Sequence, residues 1–247
     1  MIGVMNSQGI SIVIPAYNEE AFLPVTLGSV REAIQLFERS MEHPAEIVVI
    51  NNNSTDRTRE VAETLGARVI FHEKRNISSV RNAGIRHAKY ELIVAIDADC
   101  SLPQDSLVKI WEFMRDEKNV GAALGVKVIT DKALSRVVAS CIQALVGFIS
   151  GIHGAMFVFR RQAALEAGGF PEDRLVAEDS AFAISMRKYG RARGKKFGML
   201  KSVKVGTLER KDISLLQVPR LTIQIVRAFT GAKQRPEDLK FWYDPDR

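Results

Sequence analysis

The chain has 247 residues, 46% of them hydrophobic and 26% charged. That length and apolar content suit one large domain, or a domain with a subdomain, and exclude a disordered or low-complexity chain. Two cysteines without metal-type spacing, Cys100 and Cys141, argue against a disulfide framework and fit a reducing cytosol. Residues 1–9 carry no basic stretch and no long apolar run, so they do not read as a signal peptide.

The first half alternates short β-type runs with helical patterns. Ser11–Ile14 reads as a strand ended by Pro15, which has no N–H to give a ladder. Apolar residues at Leu23, Leu27, Val30, Ile34 and Phe37 predict a helix over Glu19–Arg39. Strands follow at Glu46–Ile50, Ala67–Phe71 and Leu92–Ile96, and helices at Asp56–Leu65, Ser78–Lys89 and Gln104–Arg115. This alternation predicts a doubly wound, mostly parallel α/β sheet flanked by helices. Ligands of such sheets bind beyond the carboxyl ends of the strands.

The second half is less regular. A strand is expected at Val120–Ile129, then a long apolar helix at Leu134–Ile152, read as buried or interfacial rather than membrane-spanning. A strand at Ala155–Arg160 and helices at Gln162–Ala167 and Glu178–Tyr189 follow, with an amphipathic tail from Asp212 to Phe229 interrupted by Pro219. A soft boundary near residue 118 separates an α/β half, 1–118, from an α+β half, 119–247. The net charge is +6, yet Arg187 to Lys211 holds ten Lys or Arg against Glu209 alone, so the remainder is net negative. Such a segment can meet phosphates, anionic lipid or nucleic acid, or can simply be a solvated face.

Four motifs fall where a site is expected. Asp97-Ala98-Asp99 follows a buried apolar run; paired carboxylates there suit a hard cation such as Mg²⁺ or Mn²⁺. Glu178-Asp179 opens a helix, where acids are favoured by the dipole and where a carboxylate can also serve as a general base. Asn51-Asn52-Asn53-Ser54-Thr55-Asp56 reads as a strand–turn–helix junction able to recognise a nucleotide. Arg75 and Arg81 lie in a stretch ending Asn82-Ala83-Gly84, and their guanidinium forks suit phosphates.

Taken in order, Ser11-Ile-Val-Ile-Pro-Ala-Tyr-Asn-Glu-Glu20, Asn52-Asn-Ser-Thr-Asp56, Arg81-Asn-Ala-Gly84, Asp97-Ala-Asp99, Gly168-Gly-Phe170 and Glu178-Asp179 resemble glycosyltransferase family 2. The resemblance implies a GT-A fold and an inverting, divalent-metal-dependent transfer from a nucleoside-diphosphate sugar to a hydroxyl acceptor, lipid-linked or polysaccharide. It implies that Pro15, Ala16 and Tyr17 hold the nucleotide base, with Tyr17 stacking on it, and that Glu19, Asn51, Asn53, Arg75, Arg81 and Ala98 lie along the donor. Asp97 would contact the ribose and, with Asp99, the metal. Asp179 would be the base, with Glu178 orienting the acceptor. The family usually carries an acid where this chain has Asn51, which bears on the choice of nucleotide.

His153 and Gly154 are expected on the acceptor side, and Arg210 and Lys211 in a loop closing over the diphosphate. The basic segment 187–211 and the tail 213–229 are compatible with peripheral attachment to the cytoplasmic face of a membrane. A nucleotidyltransferase would need a glycine-rich basic loop after the first strand, and Pro15–Glu20 is acidic. A non-catalytic binding protein of the same fold is the other alternative, against which the two acidic pairs argue. No reader motif accompanies the basic run, so nucleic acid is not expected as a partner.

Overall fold

The first strand, β1 (Ile10–Ala16), is buried along its whole length, as an apolar run flanked on both sides by parallel neighbours should be. A computed structural model of the chain describes residues 8–129, 156–174 and 177–208. After β1 come α1 (Leu23–Met41), β2 (Ala45–Asn51), α2 (Thr58–Thr64), β3 (Arg68–Phe71), α3 (Ile77–His87) and β4 (Leu92–Ala95). A two-residue strand β5 (Cys100–Ser101), α4 (Ser106–Met114) and the long β6 (Asn119–Ile129) follow. The described chain ends with β7 (Phe157–Arg160), α5 (Arg161–Glu166), α6 (Glu178–Arg191) and β8 (Lys196–Leu208).

All eight strands form one sheet in the order β3-β2-β1-β4-β7-β6-β8-β5. β1 to β4 are mutually parallel, β6 and β8 run with them, β7 is an antiparallel insertion and β5 an antiparallel edge strand. The expected mostly parallel α/β sheet flanked by helices is therefore present. One core cluster packs Leu23, Leu27, Val30 and Phe37 of α1 and Leu107 and Ile110 of α4 on one face. The other face packs Val80 and Ala83 of α3 and Phe182 and Met186 of α6 against Phe157 and Phe159. The chemistry described below belongs to that second face and to the carboxyl edge of β1, β2 and β4.

Several boundaries differ from the sequence expectation for local physical reasons. Pro15 does not end β1 but pairs with Ile50 of β2. The Val13 carbonyl accepts from the Ile96 N–H and the Ala16 carbonyl from the Asn52 N–H, so odd positions of β1 face β4 and even ones face β2. The donor Pro15 lacks would point toward β4, whose pairing with β1 has already ended at Val13–Ala95. The first helix begins at Leu23 rather than Glu19, because Pro24 belongs in a first turn whose N–H groups have no helical acceptor. α2 begins at Thr58, with Asp56 accepting from the Thr58 N–H. α3 begins at Ile77, capped by Asn76, whose side-chain oxygen accepts from the Ser79 N–H.

β5 and β8 were not expected at all. The basic run from Arg187 contains the end of α6 and a 13-residue strand. Val203 and Val205 are buried on either side of exposed Lys204, so a period-two signal was present beneath the charge. The expected apolar helix 134–152 and the tail beyond 208 lie outside the described residues. Among the described residues no helix is long and apolar enough to cross a membrane.

Gly84 fixes how closely α3 lies on the sheet. A Cβ there would come 2.2 Å from Val13 Cγ1 and 3.5 Å from Ile50 Cγ1. Gly84→Ala is expected to lower stability by about 1–3 kcal/mol through overpacking, despite the higher helix propensity of alanine. Urea unfolding reads this directly, and an unchanged midpoint would mean that α3 can lift off β1 freely.

Candidate functional site

The carboxyl ends of β1 and β2 are tied into one platform. The Asn18 side-chain oxygen accepts from the Thr55 N–H at 2.8 Å, and the Asn18 N–H donates to Ser54 Oγ at 3.1 Å. The Glu19 N–H donates to Thr58 Oγ1 at 2.7 Å and the Glu20 N–H to Asp56 Oδ2 at 3.1 Å. Asn18 and Asn53 both have positive φ, which asparagine tolerates better than most residues. Asn51, buried, accepts from the Ser54 N–H with its side-chain oxygen, so its first task is to hold this turn. Asn52 clamps the next loop, donating to the carbonyls of His72 and Lys74 at 2.9 Å each.

Tyr17 and Arg75 meet at the edge of this platform. The Arg75 guanidinium lies 4.3 Å from the Tyr17 ring centroid and donates to its hydroxyl at 2.5 Å. Both were expected along a nucleotide. Here the cation covers the ring face on which a base would stack.

The Asp97-Ala98-Asp99 turn follows β4 and is fixed from two sides. Thr26 of α1, fully buried, donates its hydroxyl to the Ala98 carbonyl at 2.6 Å and accepts from the Cys100 N–H at 3.1 Å. The Leu208 N–H at the end of β8 donates to the Asp99 carbonyl at 2.8 Å. Asp99 is buried, while the Asp97 side chain is one-third exposed. The neighbouring Cys100 thiol is pushed far up by burial and by the two aspartates, so it is inert as a thiolate.

Arg81 of α3 joins this turn to the start of α6. Its guanidinium is buried and donates to Asp97 Oδ1 at 2.8 Å and to Asp179 Oδ1, with Glu178 Oε1 at 3.6 Å. The Phe170 ring lies beneath it, 5.3 Å from centroid to guanidinium carbon. One buried cation thus serves three carboxylates drawn from two distant motifs. Sequence reasoning brought Arg81 toward the donor and did not foresee that it links the two acidic pairs.

The Gly168-Gly169-Phe170 motif explains how this is held. Asn82 accepts from the Phe170 N–H and donates to the Phe170 carbonyl, both at 2.8 Å. Gly169 has φ +67, and a Cβ there would come 2.5 Å from Asn82 Oδ1. Phe170 then stacks on Phe182 of α6 at 4.0 Å and 10°. Asn82 and Phe170, quoted in the sequence only as motif letters, are therefore the joint that docks α6 beside α3.

Glu178 and Asp179 occupy the first turn of α6, after Ala177 in the left-handed region. Burial pushes the Glu178 carboxyl above its usual range, Arg81 opposes the shift and Asp97 adds to it. Folded protein then holds this proton more tightly than unfolded chain does. Stability therefore falls as pH rises from the ordinary glutamate range through the raised value. Glu178→Gln, neutral at every pH, is expected to have the higher thermal midpoint at neutral pH and to lose that advantage in acid. A wild type more stable than the variant at neutral pH would reverse the sign of this account.

Asp97 and Asp99 offer hard oxygen donors on one turn. Among the described residues no group of three or more His, Cys, Asp or Glu forms a closed metal cage. Mg²⁺ or Mn²⁺ completed by substrate phosphates and water needs only one or two carboxylates, so the donor set fits such an ion. His153, Gly154, Arg210 and Lys211 lie outside the described residues.

The sequence model of glycosyl transferase family 2 matches residues 11–168. A poly-beta-1,6-N-acetyl-D-glucosamine synthase of Staphylococcus epidermidis is 29% identical over 200 residues, covering 74% of this chain and 46% of the relative. The Staphylococcus aureus (strain COL) protein of the same name is 27% identical over 206 residues, covering 76% and 48%. The chain thus spans about half the length of these relatives. Among solved structures, the mannosyltransferase PcManGT from Pyrobaculum calidifontis, in complex with GDP-Man and Mn²⁺, superposes with TM-score 0.66 at 22% identity, covering 98% of this chain and 70% of that one. S. aureus TarS 1-349 with UDP-GlcNAc gives TM-score 0.63 at 17% identity, covering 94% and 64%. These likenesses show the GT-A fold.

Proposed function

The chain belongs to glycosyl transferase family 2, and on that premise we propose that it is an inverting glycosyltransferase using a nucleoside-diphosphate sugar. The observation that carries the reading is the convergence on Arg81 of Asp97 with Glu178 and Asp179. A donor-side acid and a base-side acid meet across one buried guanidinium, at the strand ends where an α/β sheet binds its ligand. Residues 1–118 would hold the donor and 119–247 the acceptor.

In this reading Pro15, Ala16, Tyr17, Asn51 and Asn53 line the nucleotide, and Arg75 swings off the Tyr17 ring as the base arrives. Asp97 and Asp99 would hold Mn²⁺ or Mg²⁺, which when bound supplies charge stabilisation to the leaving diphosphate. Asp179, more accessible than Glu178, takes the proton of the acceptor hydroxyl. The oxygen attacks the anomeric carbon from the side opposite the diphosphate. The carbon–oxygen bond to the diphosphate breaks with its electron pair, and the configuration inverts. Arg81 holds Asp179 in place until the acceptor enters.

UDP-GlcNAc and GDP-Man occupy two structural neighbours, so they are the first donors to test. Incubation with UDP-, GDP-, dTDP- and CMP-sugars and Mn²⁺ is expected to release nucleoside diphosphate from one class. Release of pyrophosphate from a nucleoside triphosphate and sugar phosphate would favour a nucleotidyltransferase instead. We extend the reading to a peripheral position on the cytoplasmic face of a membrane, supported by the exposure of Arg191, Arg193 and Lys196.

A further inference from the structure

Among the described residues β6 and β8 run on past β4 and β7. Among the described residues β7 pairs with β6 at Gly121–Ala123, whereas β6 and β8 stay paired to Ile129 and Leu208. A register shift between Leu124 and Gly125 sets this extension off from the central sheet. Leu124, Val126, Val203 and Val205 pack into the cluster on the α1 and α4 side. Strand alternation therefore turns Gly125, Lys127 and Ile129, and Lys204 and Gly206, to the opposite face, the one that carries Arg81, Phe170 and α6.

The contacts agree with that alternation. A Cβ on Gly125 would come 3.3 Å from Lys204 Cγ, and one on Gly206 would come 2.4 Å from Ile129 Cδ1. Both glycines are buried, and their missing side chains leave room for Lys204 and Ile129 to lie across them. Lys127 and Lys204 are exposed, as is Ile129, and among the described residues neither lysine has a carboxylate partner. The same face runs toward the Asp97–Asp99 turn. Lys127 pairs with Gly206, two residues and about 7 Å along the strand from Leu208. Leu208 bonds the Asp99 carbonyl, and Gly206 and Thr207 pair with Ser101 and Cys100.

We propose that this face of β6 and β8 is an acceptor subsite in which Lys127 and Lys204 bind a phosphate group of the acceptor. It rests on the glycosyltransferase reading for the identity of its neighbour, the donor site. Two exposed ammonium groups on one face, with no carboxylate partner among the described residues, make a local cationic patch suited to an incoming anion. Lysine suits a phosphate as a point charge where no fixed fork is needed. Ile129, exposed and lying over Gly206, offers an apolar contact next to the charge.

The test compares wild type with Lys127→Gln/Lys204→Gln and Lys127→Arg/Lys204→Arg in the full chain. Each is titrated with sn-glycerol 3-phosphate, with vesicles of pure dioleoylphosphatidylglycerol, and with phosphatidylcholine vesicles as control. Binding of UDP- and GDP-sugars with Mn²⁺ is measured in parallel. The glutamine pair is expected to lose roughly tenfold in phosphate affinity with nucleotide-sugar binding and thermal midpoint retained, and the arginine pair to restore it. Loss with the soluble ester names a phosphorylated polymer or small molecule as the source, and loss with the vesicles alone names a lipid headgroup. No phosphate binding in wild type, or equal binding in the glutamine pair, overturns the proposal. Joint loss of phosphate and nucleotide binding would put the lysines on the donor diphosphate and overturn it too. Lysine-dependent phosphate binding in a wild type that binds no nucleotide-sugar would leave the subsite standing and remove the glycosyltransferase reading.

Discussion

Arg81→Ala is expected to cost about 3–5 kcal/mol of folding stability, the largest effect of any single change discussed for this chain. The guanidinium is buried between Asp97, Glu178 and Asp179 and over Phe170. Its removal leaves three carboxylates facing one another with their shared cation gone. Lysine in its place keeps one positive charge and cannot bridge both sides, so an intermediate loss is expected. Urea unfolding at neutral pH decides the matter. A loss under about 1 kcal/mol, of the size expected for an exposed pair, would mean that the cluster is open to water and relaxes without its cation.

Asp179→Asn should act on rate rather than on binding. Asparagine keeps the shape of the side chain but cannot take a proton at neutral pH. Turnover with water as the acceptor is expected to fall roughly a hundredfold to ten-thousandfold, the range for removal of a general base. Nucleotide-sugar affinity should stay within a small factor, because the donor is held from the other side of Arg81. A kcat within threefold of wild type would put the base elsewhere. A large rise in KM at unchanged kcat would make Asp179 a binding residue.

Much of the donor half was legible because its signals are local. The apolar runs of β1, β2 and β4 have no competing charge, whereas the helix starts expected at Glu19 and Ser78 fall instead where Pro24 and the Asn76 cap set them. The two acidic pairs were legible as letters at a strand end and a helix start. Their meeting was not, since Arg81 and Asp179 are 98 residues apart and are brought together by tertiary packing that includes the docking of Asn82 on Phe170. β8 was hidden for a different reason. Its lysines dominate the composition, and a charge run draws attention from the buried Val203 and Val205 that alternate with Lys204. Two-residue β5 carries no pattern of its own and exists because Gly206 and Thr207 of β8 pair with it. Pro15 misled by rule: proline does end many strands, but here its missing donor points where the neighbouring strand has already stopped.

The central claim is that the strand-end turn at Asp97–Asp99 binds a nucleotide-sugar through a divalent ion. The most direct measurement is the thermal midpoint of wild type and Asp99→Asn with UDP-, GDP-, dTDP- and CMP-sugars, each with and without Mn²⁺. A ligand that binds only the folded site raises the midpoint by mass action. The account predicts a rise with one nucleotide class, dependent on Mn²⁺ and absent in the variant. A rise that is the same without Mn²⁺, or is retained in Asp99→Asn, would contradict it.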